Sequence, residues 1–259
     1  MKFYESGDNR KPVIFLFPGT CCLYSSFDHV LDGLHSYFYT VAVSYDGFDP
    51  NEKTEFYSME DECEKIEQEI RTKYGGRIKA AYGCSLGGSF VSLLIQRKRI
   101  HINHGIIGSS DMDEAGNLVA KIQASMVVPF MYKMVHTGAL PKFMQKKLNK
   151  TDGAKKELYN GFLNMFGIGK GGSPWITKQS IYNQFYSDLV TKVQHGIDVP
   201  GTTIHVFYAT KMGKYEKRYC TYFKNPDIQR HNMQHEELFC CHSAEWVEEV
   251  RKAVEGDKQ

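Results

Sequence analysis

The chain has 259 residues, of which 42% are hydrophobic and 24% are charged, as in ordinary globular proteins and unlike disordered or collagen-like chains. It carries 32 Lys and Arg against 30 Asp and Glu, so it lacks the strongly basic balance of nucleic-acid-binding proteins, and we expect no nucleic-acid partner. At about 150 residues per domain, this length gives between one and two domains, and it also fits one large α/β domain with an insertion.

The N-terminus and the short apolar runs predict a cytoplasmic protein without a membrane span. The longest unbroken run of aliphatic and aromatic residues, Val13–Phe17, is far shorter than the roughly 20 residues that a membrane-spanning helix needs. Residues 1–10 lack the apolar stretch and the cleavage site of a secretory signal. The cysteines number seven, and two pairs of them are adjacent in the chain, which is typical of reduced thiols.

Strands and helices alternate through the first 110 residues. Val13–Phe17 is continuously apolar, which predicts a strand buried on both faces of a parallel sheet. Ser58, followed by Asp61, predicts the N-cap of a helix up to Tyr74. The other elements predicted here are helices over about 26–38 and 86–97 and strands over 39–45, 78–84 and 102–107. This alternation predicts a βαβ architecture.

The second half of the chain interrupts this alternation and then resumes it. Residues 114–198 have a helical pattern rich in Met, Phe and Tyr, and we interpret them as an inserted helical cap. Strands are predicted over 202–208 and, more weakly, 227–232, followed by a closing helix that Ser243 caps. The predicted domains are therefore a core of residues 1–113 and 199–259, and a cap of residues 114–198.

The segment Gly83-Cys84-Ser85-Leu86-Gly87 has the pattern G-x-S-x-G between a predicted strand and a predicted helix. On such a strand-to-helix turn the residues two before and two after the serine must lack bulk, because the backbone bends sharply there. This context predicts that Ser85 is a nucleophile. The alternative for the motif alone is a flexible turn.

Around Ser85 the chain resembles the α/β-hydrolase superfamily, and the resemblance covers the core on both sides of the cap. It implies a mostly parallel central sheet flanked by helices, with the helical cap inserted. It also implies an oxyanion hole formed by the N–H groups of Thr20, after the early strand, and Leu86, after the nucleophile. Pro18 stands where members of the superfamily often carry histidine, but the chemistry requires only a backbone N–H.

The chain order Ser, acid, His of this superfamily implies a base after the last strand. His235 follows that strand directly and precedes the closing helix, so we favour it over His242, which lies at the start of the helix. The turn after the strand at 202–208 contains no aspartate, and the acid is either Asp111, which follows an earlier strand, or Glu216. We favour Asp111. Residues 211–219 and 235–238 resemble a bacterial branch of the superfamily, which implies no particular substrate.

These observations predict a serine hydrolase that cleaves an ester or related acyl bond of a small-molecule substrate with an apolar acyl group. The alternatives are an acyltransferase with the same acyl-enzyme and a non-catalytic protein that binds a ligand under the cap. The mechanism needs no cofactor, and no metal-ligand spacing is present. The lysines of residues 142–156 are typical of a solvated helix face, or attract an anionic substrate. The sequence does not indicate an oligomeric state.

Overall fold

A computed structural model of the chain describes residues 1–169 and 171–256 and contains a seven-stranded sheet. The strands are β1 (Lys2–Ser6), β2 (Val13–Phe17), β3 (Tyr39–Ser44), β4 (Arg77–Gly83), β5 (His101–Ile107), β6 (Thr203–Ala209) and β7 (Asp227–His231). Their order in the sheet is β1-β3-β2-β4-β5-β6-β7, and β1 pairs antiparallel with β3 while all the other pairs are parallel. The predicted, mostly parallel α/β architecture is confirmed.

Helices cover the sheet and form the insertion between β5 and β6. They are α1 (Asp28–Leu34), α2 (Met59–Tyr74), α3 (Leu86–Arg97), α4 (Asn117–Thr137), α5 (Lys142–Asn149), α6 (Gly153–Met165), α7 (Lys178–Val190), α8 (Glu216–Tyr222), α9 (Glu237–Cys241) and α10 (Ser243–Glu255). Two short 3-10 turns, Tyr24–Phe27 and Thr210–Met212, precede α1 and α8. Helices α4 to α7 lie within the predicted cap.

Both faces of the sheet are buried, as the continuous apolar pattern of β2 predicts. Phe15 and Phe17 project into the core cluster that contains residues of α2 and α3. Ile14 and Leu16 project into the cluster on the other face, which includes Trp246 of the closing helix. The sheet therefore holds the carboxyl ends of its parallel strands at one edge, where ligand sites form in open α/β sheets.

The sequence patterns near helix ends predict some of these ends correctly and others incorrectly. The Ser58 hydroxyl accepts a hydrogen bond from the Asp61 N–H at 3.1 Å, so the predicted N-cap of α2 is confirmed. The helix predicted over 26–38 is shorter, because a 3-10 turn precedes α1 and the helix ends at Leu34. The prediction that Ser243 caps α10 is wrong: His242 is the N-cap and makes no side-chain capping bond. Strand β1 is an edge strand of mixed burial and was not among the predicted elements.

Helix α7 joins the insertion to the core through buried hydrogen bonds. Its Gln184 Oε1 accepts from the Cys21 N–H at 2.8 Å, and Ser187 Oγ accepts from the Met59 N–H at 2.8 Å. Asn183 donates its side-chain N–H to the Phe56 carbonyl at 2.7 Å. Helix α4 packs along α7. The last helix of the predicted cap is thus hydrogen-bonded to the segments that follow the carboxyl ends of β2 and β3.

Helix α4 also bears on the expectation that the chain has no membrane span. Among residues 1–169 and 171–256 it is the one helix whose length and composition would allow it to cross a membrane. Only 28% of its 18-residue apolar window is buried.

Candidate active site

Ser85 occupies the turn between β4 and α3 with a backbone conformation that side chains rarely adopt. Its φ is 49° and its ψ is −114°, a combination far from the left-handed helical region that non-glycine residues sometimes enter. The turn is closed by a hydrogen bond from the Gly87 N–H to the Cys84 carbonyl at 2.7 Å. Such strained residues persist where the surrounding structure holds them, often at functional sites. Ser85 is half-buried.

The two glycines of the motif are required because a larger side chain at either position has no room. A Cβ on Gly83 would overlap the backbone of Gly87, and a Cβ on Gly87 would overlap the carbonyl of Phe17 at the end of β2. Cys84, between Gly83 and the serine, is fully buried, and burial raises the pKa of its thiol. Of these two side chains, only that of Ser85 is partly exposed and so accessible for reaction.

The oxyanion residues predicted from the resemblance lie on turns beside Ser85. The turn at Pro18-Gly19-Thr20 reaches the serine, since a Cβ added to Gly19 would lie 3.5 Å from Ser85 Cβ. The next residue, Cys21, has φ 59° and donates its N–H to Gln184 of α7. Leu86 is the first residue of α3. Among the backbone hydrogen bonds of the described residues, the N–H groups of Thr20 and Leu86 have no acceptor.

Glu236, which the sequence analysis did not single out, holds the loop after β7 against the elbow. Its side chain is buried (2% exposed), and Oε1 accepts the backbone N–H of Ser85 at 2.8 Å. Its Oε2 accepts from the Tyr82 hydroxyl at 3.1 Å. Burial, together with the charge of Glu236, raises the pKa of Tyr82, so its phenol stays protonated and donates. A Cβ on Gly108 would clash with this carboxylate, so the glycine leaves room for it.

His235 immediately precedes Glu236, on the loop whose Glu236 side chain contacts the elbow. Its ring lies parallel to that of Phe162 in α6, with an interplanar angle of 2° and 6.3 Å between the ring centroids. In the part of the chain that the structure describes, His235 has no hydrogen bond to Ser85 or to a carboxylate. Hydrogen bonds between catalytic groups often form fully only when substrate binds.

The two candidate acids make other contacts. Asp111 is exposed, its Oδ1 accepts the Asp113 N–H at 3.3 Å, and its carbonyl accepts from Arg218 at 2.6 Å. Glu216 is ion-paired with Arg230, with 2.6 Å between Oε1 and Nη2. Neither carboxylate is hydrogen-bonded to His235 within residues 1–169 and 171–256.

A third carboxylate, Asp188 of α7, lies near Asp111. Burial first, and the negative charge of Asp111 second, raise the pKa of Asp188 to about 7, while a hydrogen bond with Ser89 acts in the opposite direction. Within the described ranges, no group of three or more His, Cys, Asp and Glu side chains is arranged to hold a metal ion.

No family model matches the chain, and no curated protein matches it in sequence. Solved structures do resemble it over nearly its whole length. A protein assigned to the alpha/beta hydrolase family from Desulfitobacterium hafniense has a TM-score of 0.73 at 14% identity, covering 97% of this chain and 99% of that one. An esterase from a marine microorganism has a TM-score of 0.70 at 12% identity, covering 98% of each chain.

An enol-lactonase from Burkholderia xenovorans LB400 is similar as well, with a TM-score of 0.69 at 13% identity and coverage of 98% of this chain and 96% of that one. At such low identities, a structural likeness establishes the fold and leaves the activity to be argued from the site. The sheet order, the strained turn at Ser85 and these likenesses agree, and the chain has the α/β-hydrolase fold.

Proposed function

We propose that the protein is a serine hydrolase that cleaves an ester or related acyl bond through an acyl-enzyme on Ser85. The observation that carries the proposal is the hydrogen bond between the Ser85 N–H and the buried Glu236, because it ties the loop of the candidate base to the strained elbow. A simple flexible turn would need neither the strain nor the buried carboxylate.

In the proposed reaction the Ser85 hydroxyl attacks the acyl carbon while His235 takes its proton. The tetrahedral oxyanion is stabilised by the N–H groups of Thr20 and Leu86, with the N-terminal end of α3 adding a favourable dipole. His235 then gives the proton to the leaving group, and water releases the acyl group by the same steps in reverse. No cofactor takes part in this sequence.

The carboxylate that orients His235 is proposed to be Asp111, on the loop that follows β5. Its present contacts are within its own loop and with Arg218, so it has to reorient to reach the imidazole. Glu216 is the less favourable choice, because its carboxylate is already neutralised by Arg230. A carboxylate in this role holds the imidazole in the correct tautomer.

An apolar acyl group fits the surroundings of the candidate base. Phe162 of α6 stacks on His235 and so places an apolar wall from the cap next to the site. Two of the structurally similar proteins are an esterase and an enol-lactonase, and both names describe cleavage of an ester-type bond. A cap over such a site also excludes water from the reacting atoms.

The test is labelling of the folded protein with a fluorophosphonate, read by intact mass. The wild type is expected to take up one adduct, Ser85→Ala none, and His235→Ala should react at least about tenfold more slowly, since a positioned base is worth 10²–10⁴-fold. Asp111→Asn should slow the reaction, whereas His242→Ala, the matched histidine control, should not. Absence of labelling on folded wild type would contradict the proposal.

A panel of p-nitrophenyl esters with short to long acyl chains then addresses the substrate class. Hydrolysis that requires both Ser85 and His235 supports an esterase, and a preference for apolar acyl chains supports the role given to Phe162. Transfer of the acyl group to added alcohol in preference to water would instead identify an acyltransferase.

A further inference from the structure

Helix α4 has apolar side chains on two opposite sides, and the structure covers only one of them. Ala120, Ala124 and Val128 recur at a spacing of four and are buried, where α4 packs against α7 and the core. On the other side, Leu118, Ile122, Met126 and Phe130 recur at the same spacing with 73%, 51%, 68% and 39% of their surface exposed. The outer side of a surface helix is normally polar.

Helix α5 extends this exposed stripe. Phe143 is 68% exposed, and its ring lies 6.4 Å from that of Phe130, centroid to centroid. The two rings line a cleft of about 250 Å³ between the cap helices, whose other apolar lining residues are Leu140, Met144, Leu148, Tyr159 and Leu163. We call Leu118, Ile122, Met126, Phe130 and Phe143 the cap apolar face. It is a continuous patch and not a scatter of single exposed residues.

The charge around the cap apolar face is strongly positive. Residues 117–157 contain eight lysines and only two acidic residues, although the whole chain has a net charge of only +2. The lysines are Lys121, Lys133, Lys142, Lys146, Lys147, Lys150, Lys155 and Lys156, and all of them are exposed. Within the described residues, none of these lysines makes an ion pair.

We propose that the cap apolar face docks onto the surface of a membrane that contains anionic lipids. Exposed aliphatic and aromatic side chains enter the boundary between headgroups and acyl chains, and lysines beside them pair with anionic headgroups. Lysine stems lie along apolar surface while the ammonium groups stay in water. The inner side of α4 is packed on α7, so the helix lies in the plane of the interface and does not cross the bilayer.

The positive charge also argues against a second copy of the chain as the partner that covers the cap apolar face. Pairing two such faces would bring two sets of eight lysines together around one apolar contact, and like charges at close range oppose association. An anionic lipid surface can bury the apolar side chains and also pair with the lysines. The proposal does not rest on the hydrolase activity, because binding can be measured with Ser85→Ala.

The test is co-sedimentation with vesicles of phosphatidylcholine alone and of phosphatidylcholine with phosphatidylglycerol. We expect wild type and Ser85→Ala to sediment only with the anionic vesicles, and sedimentation to weaken as salt rises toward 1 M, where the Debye length falls to about 3 Å. The double variants Ile122→Ser/Met126→Ser and Lys146→Gln/Lys147→Gln should each lower the partition coefficient at least tenfold. These side chains are exposed, so thermal melts of the variants should match the wild type.

Matched controls come from outside the cap. Tyr57→Ser removes a side chain that is 66% exposed, and Lys214→Gln/Lys217→Gln removes two exposed lysines near α8; neither should change vesicle binding. The proposal is overturned if wild type does not sediment with anionic vesicles, or if both cap variants bind as wild type does. It is also overturned if light scattering shows a dimer that Ile122→Ser/Met126→Ser dissociates while vesicle binding is absent.

Discussion

At the scale of single residues, the site depends on a buried carboxylate that takes no direct part in the proposed proton transfers. Glu236 accepts hydrogen bonds from the Ser85 N–H and the Tyr82 hydroxyl, at 2.8 and 3.1 Å. Without Glu236 the buried Tyr82 hydroxyl would lack an acceptor, which costs about 1–3 kcal/mol, and the half-buried Ser85 N–H would lose its acceptor as well. In the proposed mechanism Glu236 is thus a positioning residue, which fastens the loop of His235 to the strained turn at Ser85.

Comparison of Glu236→Gln with Glu236→Ala tests this role. The amide oxygen of Gln can still accept the Ser85 N–H, so Glu236→Gln should label with fluorophosphonate within a few-fold of the wild-type rate. Glu236→Ala leaves the N–H without an acceptor and should label at least about tenfold more slowly, consistent with the loss of one buried hydrogen bond. If Glu236→Ala melts at a lower temperature but labels normally, the residue supports stability alone.

At the scale of secondary-structure elements, the packing of β2, β4 and α3 leaves no room at the elbow. A Cβ on Gly87 would overlap the Phe17 carbonyl at the end of β2, and the same helix start also supplies the proposed Leu86 oxyanion donor. The geometry of Ser85 is therefore set by how closely the end of β2 approaches the start of α3.

Gly87→Ala should consequently abolish labelling of Ser85 and lower the melting temperature, because either the strand or the helix must shift. Gly116→Ala is the matched control: it lies before α4 with φ −67°, and an added Cβ meets no atom within 4 Å. It should label and melt as wild type. Wild-type labelling by Gly87→Ala would show that the elbow is not held as tightly as the structure implies.

Helix α7 carries a carboxylate whose ionisation opposes folding. The pKa of Asp188 rises from 3.8 to about 7 in the folded protein, chiefly because of burial and then because of Asp111. Between these two values the folded state keeps a proton that the unfolded state has lost, so this group lowers stability as pH rises through the window.

Asp188→Asn removes that pH dependence. The difference in melting temperature between Asp188→Asn and wild type should therefore be larger at pH 8 than at pH 5. We expect about 2–4 °C for each kcal/mol of unfolding free energy that the variant gains over wild type. Asp32→Asn, an exposed aspartate on α1, serves as the control and should give a constant difference. If the difference in melting temperature between Asp188→Asn and wild type is the same at both pH values, the Asp188 carboxylate ionises normally in the folded protein.

At the scale of the whole molecule, burial is distributed unevenly between the sheet with its covering helices and the helices inserted between β5 and β6. Helix α3 buries ten of its twelve residues, whereas none of the residues of α5 is buried. Local opening requires little free energy where few apolar contacts are lost. Ser85 thus precedes a densely buried helix, while α5 buries none of its residues.

Native-state hydrogen exchange should therefore show amides of α5 exchanging at least about a hundredfold faster than those of α3, a difference of about 2.7 kcal/mol in opening free energy. Anionic vesicles should slow exchange in α5 if the cap apolar face docks there. Equal protection of α3 and α5 in the free protein would show that α5 has stabilising contacts that its exposure does not reveal.

The parts of this protein that the sequence determined by itself are those with local causes. The continuous apolar run of β2 predicts a strand buried on both sides, Ser58 predicts the start of α2, and the small residues around Ser85 predict the sharp turn. In each case a few neighbouring residues contain the whole physical reason, which is a continuous apolar run, a capping side chain or steric room.

Only the tertiary structure decided which distant groups meet. Glu236 is 151 positions from Ser85, and Gln184 is 163 positions from Cys21, so no local pattern marks either hydrogen bond. The acid that would orient His235 also depends on tertiary structure, because the sequence does not distinguish one loop carboxylate from another by its contacts. Helix α4 is apolar on two sides, and its periodicity could not say which side would be covered. The packing of α7 determines the buried side, because a helix buries the side against which another element packs.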